Sequence, residues 1–432
     1  MTDIYEIAEY TLEALKKSGA DAAQCIVSKS KKDELNVDGG KFSLMRSTFN
    51  TSISMKAIKD GKKGVTSINQ ATEEAIDEAA DQCISAAQSS VPDEAEQIAP
   101  FTAKAEYKTG VFEPELDKLF DRIEEFMSQT AAEYPKIILE QLISDYEHSE
   151  KLYMNTNGTS LKYEHGEYSF NTMFSAHEGE KASSFNGYFC ALDSLDKPFM
   201  EAGMQRQLLD ESEKQLDTVS PSEKFVGRVI YYPDCFNELL QTALENFASS
   251  GVLIDGTSPW KDALNTKVAS EKLNLRSVPL DGRTVVGQRF TSDGYPVEDM
   301  DIIIDGVLKT FILSQYGANK TGFPRSLNSG NNLEVLPGDK ALEEMISGID
   351  RGLIVNRFSG GQPSSNGDFS GVAKNSFLIE NGKVVSAVSE TMISGNIIDM
   401  LNNIVAVSKE QTTDGLSFMP WAEFDGVTVS GK

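Results

Sequence analysis

From Phe225 onward the chain offers one long helical period and only short ones after it, and this shortage of helix most restricts how it can fold. FVGRVIYY has the apolar run of a strand, and PDCFNELLQTALENFASS then carries a helical stripe, with Pro233 suited to its first turn. After Gly251 the chain becomes rich in glycine, asparagine and β-like runs. Asp305-Gly306 in DIIIDGVLKTFIL and Asn381-Gly382 in NSFLIENGKVVSAV mark hairpins. ALEEMIS and NIIDMLNNI are the only short helical interruptions that the pattern predicts. Such a stretch buries its apolar residues best as a curved sheet or partly closed barrel with one substantial helix, predicted over 225–432.

Upstream the texture is different. In DIYEIAEYTLEALKKSGA, Ile4, Ile7, Ala8, Leu12 and Leu15 share one helical face, Asp3 and Glu6 supply a capping pattern, and Gly19 ends it. Strand-like runs QCIVS, FSLM, TSISMKAI and VTSI follow, with turns at Asp38-Gly39-Gly40 and Asp60-Gly61. EEAIDEAADQCISAA closes this first α+β unit, 1–88. Residues 89–112 carry two prolines and no clear period, which predicts a linker. ELDKLFDRIEEFMSQTAAEY, a run of strands around the Asn157-Gly158 turn, and a helix near MEAGMQRQLLDESEKQL make a second α+β unit, 113–219. The predicted fold class is therefore α+β, two small units followed by a large β-rich domain, in line with a length of 432 residues.

Charge narrows the partners. The formal net charge of −26 repels phosphate backbones, and the densest basic cluster, Lys29 to Lys32, is followed at once by Asp33 and Glu34. Nucleic acid is excluded as an expected partner. No run of 18 apolar residues predicts a membrane span, and the N-terminal segment has no secretory pattern. Cys25, Cys83, Cys190 and Cys235 are scattered without CxxC spacing, which predicts reduced, buried thiols in a cytoplasmic protein.

The chemistry-bearing motifs are few. AHEGEKA opens with His177-Glu178, the start of a helical zinc signature, but Lys181 and Ala182 stand where a second histidine would be needed. Gly179 denies the helix, and SMKAIKDGKKGVTS aligned with NTMFSAHEGEKASS puts His177-Glu178 at a hairpin tip, a solvated turn. There is no GxSxG elbow, Walker A loop, GxGxxG fingerprint or paired-cysteine knuckle. The three histidines, His148, His165 and His177, all precede the large domain, so that domain holds no Ser-His-Asp set of its own. SGGQPSSNGDFSG, with Asp368, is a small-residue loop before a strand that suits either a tight domain junction or the docking of an extended peptide, and MISGN (392–396) carries the same two readings.

RFSGGQPSSNGDFSGVAKNSFLIENGKVVSAVSETMISGNIIDMLNNIVAV resembles the C-terminal hallmark of the TldD/PmbA family, once called modulators of DNA gyrase. DGGKFSLMRSTFNTSISMKAIKDGKKG, NTNG, EKASSF and ILSQYGANKTGF support it in order along the chain. The resemblance implies a cytoplasmic two-chain peptidase acting on unfolded or extended peptides. Its TldD branch carries HExxxH on the first long helix of the last domain and a zinc-binding cysteine near the end of the chain. On that helix here, registered on Pro233, Gln241 and Thr242 take the His-Glu positions and Asn246 that of the second histidine. No histidine follows His177 and no cysteine follows Cys235. The chain therefore resembles the PmbA (TldE) branch, which implies no catalytic residue, metal or cofactor of its own and zinc in a TldD-like partner.

The expected role is that of a partner subunit, pairing with such a chain or with itself and offering sheet edges to peptide. The peptide-docking candidates are Gly360, Gly361, Asp368, Phe369, Ser370, Gly371, Ser394, Gly395 and Asn396. Two alternatives stay open: a peptidase using Ser370 or Ser394 as nucleophile, and a noncatalytic dimer that captures a regulatory protein. Asp234 and Glu238 are the residues that could sustain a remnant metal site.

Overall fold

The computed structural model describes residues 2–221 and 223–431, so position 432 of the predicted last domain lies outside the described residues. Helix α1 (Ile4–Lys17) begins where the Asp3 carboxylate accepts from the Tyr5 and Glu6 amides. Its apolar face packs with that of α2 (Glu73–Ser89) on the strands β1 (Ala22–Asp38), β2 (Lys41–Lys59) and β3 (Lys62–Ile68). Next come β4 (Lys104–Gly110), α3 (Leu116–Glu133), β5 (Ile137–Asn155), β6 (Ser160–Glu178), β7 (Lys181–Ala182), β8 (Asn186–Leu192) and α4 (Gln205–Lys214).

All eight strands lie in one sheet of order β3-β2-β1-β5-β6-β4, with β7 and β8 also on β6. β1 pairs antiparallel with β5 from Gln24–Asn155 to Asp38–Gln141, so residues of both predicted upstream units share hydrogen bonds along a whole strand. The stretch predicted as a linker is not free of structure. It contains β4, which runs parallel to β6 from Lys104–Ser160 to Gly110–Gly166. Gly110 has φ +86°, and a Cβ on it or on Gly166 would strike a carbonyl oxygen of the neighbouring segment. The boundary at 89–112 is thus a boundary in chain order, not in hydrogen bonding.

β1 and β2 run far beyond the short apolar segments that signal them, because their middle is held by charge. Lys31 pairs with Asp33 at 2.8 Å, and Lys32 with Glu147 of β5 at 3.0 Å. In AHEGEKA, His177 pairs with Ala182 and Glu178 with Lys181 across a turn with Gly179 at φ +63°. The hairpin-tip reading holds.

The second sheet has fourteen strands: β9 (Thr218–Val219), β10 (Phe225–Tyr231), β11 (Leu275–Ser277), β12 (Met300–Ile304), β13 (Val307–Leu308), β14 (Leu333–Val335), β15 (Arg351–Val355), β16 (Arg357–Gly360), β17 (Asp368–Lys374), β18 (Ser376–Glu380), β19 (Lys383–Val388), β20 (Met392–Asn396), β21 (Ile404–Thr413) and β22 (Phe418–Ser430). Its main path, β13-β12-β11-β14-β22-β10-β15-β18-β19-β9, is open at both ends, and a branch β20-β17-β16 leaves the far end of β22. The long helix is α5 (Pro233–Ala248), with Pro233 at its first turn; α6 (Ser250–Ile254), α7 (Gln315–Thr321), α8 (Leu342–Ser347) and α9 (Ile397–Asn402) are short. Phe236, Leu240 and Phe247 of α5 are buried against the sheet, Phe236 meeting Phe424 edge-on at 5.7 Å between ring centres. This is the α+β architecture expected, with the main path of the sheet left open at both ends. Among the described residues no helix is long and apolar enough to cross a membrane, and all four cysteines are free and buried.

Candidate functional site

The outward face of α5 forms one wall of a cleft of about 480 Å³. Because 3.6 residues complete a turn, Glu238, Gln241, Thr242 and Glu245 fall on one stripe and line it together, with Cys235 and Leu239 deeper. The opposite wall is β16 and the turn after it, contributing Phe358, Ser359, Gly360, Gln362 and Pro363, while Tyr231, Phe369 and Ile397 complete the lining. β16 pairs with β17 on one side, and among the described residues no strand pairs with its other side, where the Phe358 backbone meets the Cys235 thiol.

Of the residues singled out from the sequence, Glu238, Gln241, Thr242, Gly360 and Phe369 meet at this cleft, whereas Asn246 and Asp234 do not line it. The others sit just behind, on the β16-β17-β20 branch, where Gly360 is opposite Gly371, Asp368 opposite Asn396, Phe369 opposite Gly395 and Ser370 opposite Ser394. Two of these glycines have a packing cause. A Cβ on Gly360 or Gly371 would run into the Phe358 ring, which lies over both and meets Phe369 edge-on at 5.6 Å. Gly361, by contrast, has open space around it.

Asp368 acts as a clasp. Its two oxygens accept from Asn396 Nδ2 at 2.9 Å and Asn366 Nδ2 at 3.0 Å, and those bonds hold its carboxyl below the usual range. Asn396 also caps α9, accepting from the Ile398 and Asp399 amides, and Nδ2 donates to the Asn366 carbonyl. The small-residue loop is thereby tied to the start of α9.

The side chains of the cleft have weak acid–base reach. Thr242 Oγ1 donates to the Glu238 carbonyl of its own helix at 2.8 Å, and Gln241 reaches only Asn237. Burial drives the Cys235 thiol well above its ordinary value, with Glu238 adding to the rise. The Glu238 carboxyl is itself raised, partial desolvation outweighing the pull of Arg357. As a zinc site this donor set lacks the family's imidazoles and thiolate: beside the Glu238 and Glu245 carboxylates it offers an amide, a hydroxyl committed to its helix and a thiol held protonated. Among the described residues no three His, Cys, Asp or Glu side chains are grouped so as to hold a metal ion. Ser370 is exposed and Ser394 half-buried, and no hydrogen bond joins either hydroxyl to a histidine, lysine or carboxylate among the described residues. Glu238, named from the sequence only as a remnant metal candidate, lines the cleft, and Glu245 was not singled out at all, although its spacing of four from Gln241 carries that information.

A large carboxylate perturbation lies elsewhere, on the first sheet. Burial, then Glu147 and Asp145, push Glu167 up to about 7, against the opposing pull of Lys32. His165 Nε2 lies 3.2 Å from Glu167 Oε2 without hydrogen-bond geometry, and burial lowers the imidazole, so the pair is not a catalytic couple.

Comparison with known proteins gives the fold and the site a lineage. Residues 225–431 match the PmbA/TldA metallopeptidase C-terminal domain, and residues 23–87 match PmbA/TldA metallopeptidase domain 1; together these cover more than half of the chain. The chain is 32% identical over 155 residues to the metalloprotease PmbA of Escherichia coli O157:H7, covering 35% of this chain and 34% of that protein. It is 28% identical over 195 residues to a zinc metalloprotease TldD homolog of Saccharolobus solfataricus, covering 42% and 44%. These alignments thus span less than half the length of the curated relatives. Over the whole length the fold matches the crystal structure of TldE from Thermococcus kodakarensis, with a TM-score of 0.83 at 22% identity, covering 98% of this chain and 100% of that one. A structure from Bacteroides thetaiotaomicron described as a candidate modulator of DNA gyrase matches with a TM-score of 0.84 at 23% identity, covering 100% of both chains. With the domain matches at both ends of the chain and the same fold in between, the protein belongs to the TldD/PmbA family of metallopeptidases.

Proposed function

We propose that this chain is the peptide-holding partner subunit of a TldD/PmbA-type metallopeptidase, without zinc of its own, and that a HExxxH-bearing relative supplies the metal and the cleavage. The observation that carries the reading is the cleft between α5 and β16. Its helical wall carries Gln241 and Thr242, the residues that registering on Pro233 would set against the family's metal motif, and its other wall is a strand with which no second strand pairs on that side among the described residues. An extended peptide laid along β16 gains main-chain hydrogen bonds that depend little on its sequence, which suits unfolded substrates. Phe358 and Phe369, stacked over glycines, give that edge a rigid apolar backing. Its four reduced thiols fit a cytoplasmic setting.

The test is reconstitution. The chain, a HExxxH-bearing homologue, and an equimolar mixture are compared for assembly by light scattering and for cleavage of an unfolded peptide. The expected result is a mixed complex with more peptidase activity than the homologue alone, and none from this chain alone. A mixture that neither assembles nor exceeds the homologue's own rate defeats the proposal, as does chelator-sensitive cleavage by this chain in isolation.

A further inference from the structure

A second cavity opens on the other face of the large sheet from the α5 cleft. Tyr231 and Tyr232, where β10 ends, are successive extended residues and point to opposite sides. Tyr231 lines the cleft and Tyr232 lines this cavity. Its volume of about 790 Å³ falls within the roughly 300–1,000 Å³ of small-ligand sites. The buried Ile354 of β15 and Phe377 of β18 give it an apolar floor, and Leu342 and Ile346 of α8 form a side wall. Val384 and Val385 of β19 stand at the mouth, each nearly half exposed.

One acidic group of this lining is held rigidly. Glu211 of α4 accepts at Oε1 from the Tyr232 hydroxyl at 2.5 Å and from Gln207 Nε2 at 2.9 Å. Gln207 Nε2 also donates to the Tyr232 hydroxyl oxygen at 3.2 Å, so the three side chains fix one another. The second oxygen, Oε2, is buried and has no hydrogen-bond partner among the described residues. Leaving such an acceptor bare is costly, and burial raises the Glu211 carboxyl against the pull of Tyr232, Gln207 and Lys214. Lys214, one turn further along α4, is exposed at the cavity and leaves that oxygen unmet.

We infer that this cavity binds a small molecule whose apolar body ends in an ammonium group, the ammonium meeting Glu211 Oε2 and the body lying over Phe377 toward Val384 and Val385. Charge selects the cation. Glu211 and Asp217 line the cavity against Lys214 alone, in a chain of net charge −26, so an anionic head would approach against the field. A neutral hydroxyl would supply a hydrogen bond without the charge, and so a weaker one. The ammonium ligand gives the buried oxygen its missing donor and covers the two valines in the same act. The inference does not rest on the peptidase reading above.

Isothermal titration calorimetry of the full chain at neutral pH, with phenylbutylamine, phenylbutanol and phenylbutyrate as probes, tests it. The amine should bind in the low-millimolar range or tighter, about tenfold or more ahead of the alcohol, with the acid weakest. Glu211→Gln keeps an oxygen for Tyr232 and Gln207, and it should lower the amine's affinity about tenfold while leaving the alcohol's unchanged. Val385→Trp fills the mouth at a half-exposed position. It should weaken amine and alcohol alike with an unchanged circular dichroism spectrum and melting temperature, and it serves as the test if Glu211→Gln does not fold. No amine binding at about 10 mM, an acid that binds as well as the amine, or an amine affinity indifferent to the substitutions would each overturn the inference. So would tighter binding of an acetylated and amidated valine-rich tetrapeptide. That peptide carries no ammonium but can pair along Lys383–Ser386 of β19, since β9 pairs only with Ala387 and Val388.

Discussion

At the scale of single residues, the cleft's branch of sheet is organised by one aromatic ring lying over two glycines. Gly371→Val puts a branched side chain into the space of the Phe358 ring. It should cost about 1–3 kcal/mol, the range for overpacking a filled site, read from the urea midpoint. Glu167 sets a pH dependence. Its folded value of about 7 lies above the ordinary 4.5, so the folded state holds this proton more tightly than the unfolded chain does. The associated stability is full below about 4.5 and is lost as pH rises through about 7. Glu167→Gln removes that slope, so the variant should exceed wild type by up to about 3 kcal/mol at pH 8, the gap closing toward pH 4.5. Urea denaturation at several pH values measures it, and parallel curves for the two proteins would contradict the assignment. The sequence marked Gly360 and Gly371 as small residues in a suggestive loop. It could not say which ring they seat, because Phe358, two residues before Gly360 on β16, reaches Gly371 only across the strand pair. Asp368 was legible as unusual, but its bonds to Asn366 and Asn396 appear only once β17 and β20 are side by side.

At the scale of elements, helices and tight turns were legible where the signal is local. The stripe of α1, the proline opening α5, and the glycine turns after Asp38, Asp60, Asn157, Asp305 and Asn381 fall where the pattern put them. Elements that depend on distant partners were not. β4 lies in a stretch without period, since its partner β6 lies more than fifty residues away along the chain. α7, in ILSQYGANKTGF, was passed over because glycine and asparagine dilute its short helical pattern, although Ser314 caps it through the Gly317 amide. The polar middle of β1 gives no strand alternation because ion pairs, not a core, support it. One substitution tests the role of β4. Gly166→Ala drives a methyl group into the Val111 carbonyl. It should destabilise by about 2 kcal/mol or more, as forced backbone strain does, and hasten proteolysis within 104–110. Normal stability with normal protease resistance would show that the segment is not held as described.

At the scale of the whole molecule, the strongly acidic composition and a cleft without imidazole ligands make separate predictions. A chain of net charge −26 should fail to retard duplex DNA at physiological salt. Elemental analysis of the purified, dialysed protein should find zinc well below one equivalent, and a tightly held stoichiometric ion would undo the partner-subunit proposal. The family resemblance was legible because the C-terminal hallmark is contiguous in sequence. The cleft was not, because α5 and β16 are brought together from more than a hundred residues apart. The long pairing of β1 with β5 also bears on synthesis. A ribosome must deliver residue 155 before the far side of the first long strand can be sealed. Until then the emerging segment displays a bare flank to any sticky neighbour, so its early life calls for a chaperone or for rapid elongation through the two intervening helices.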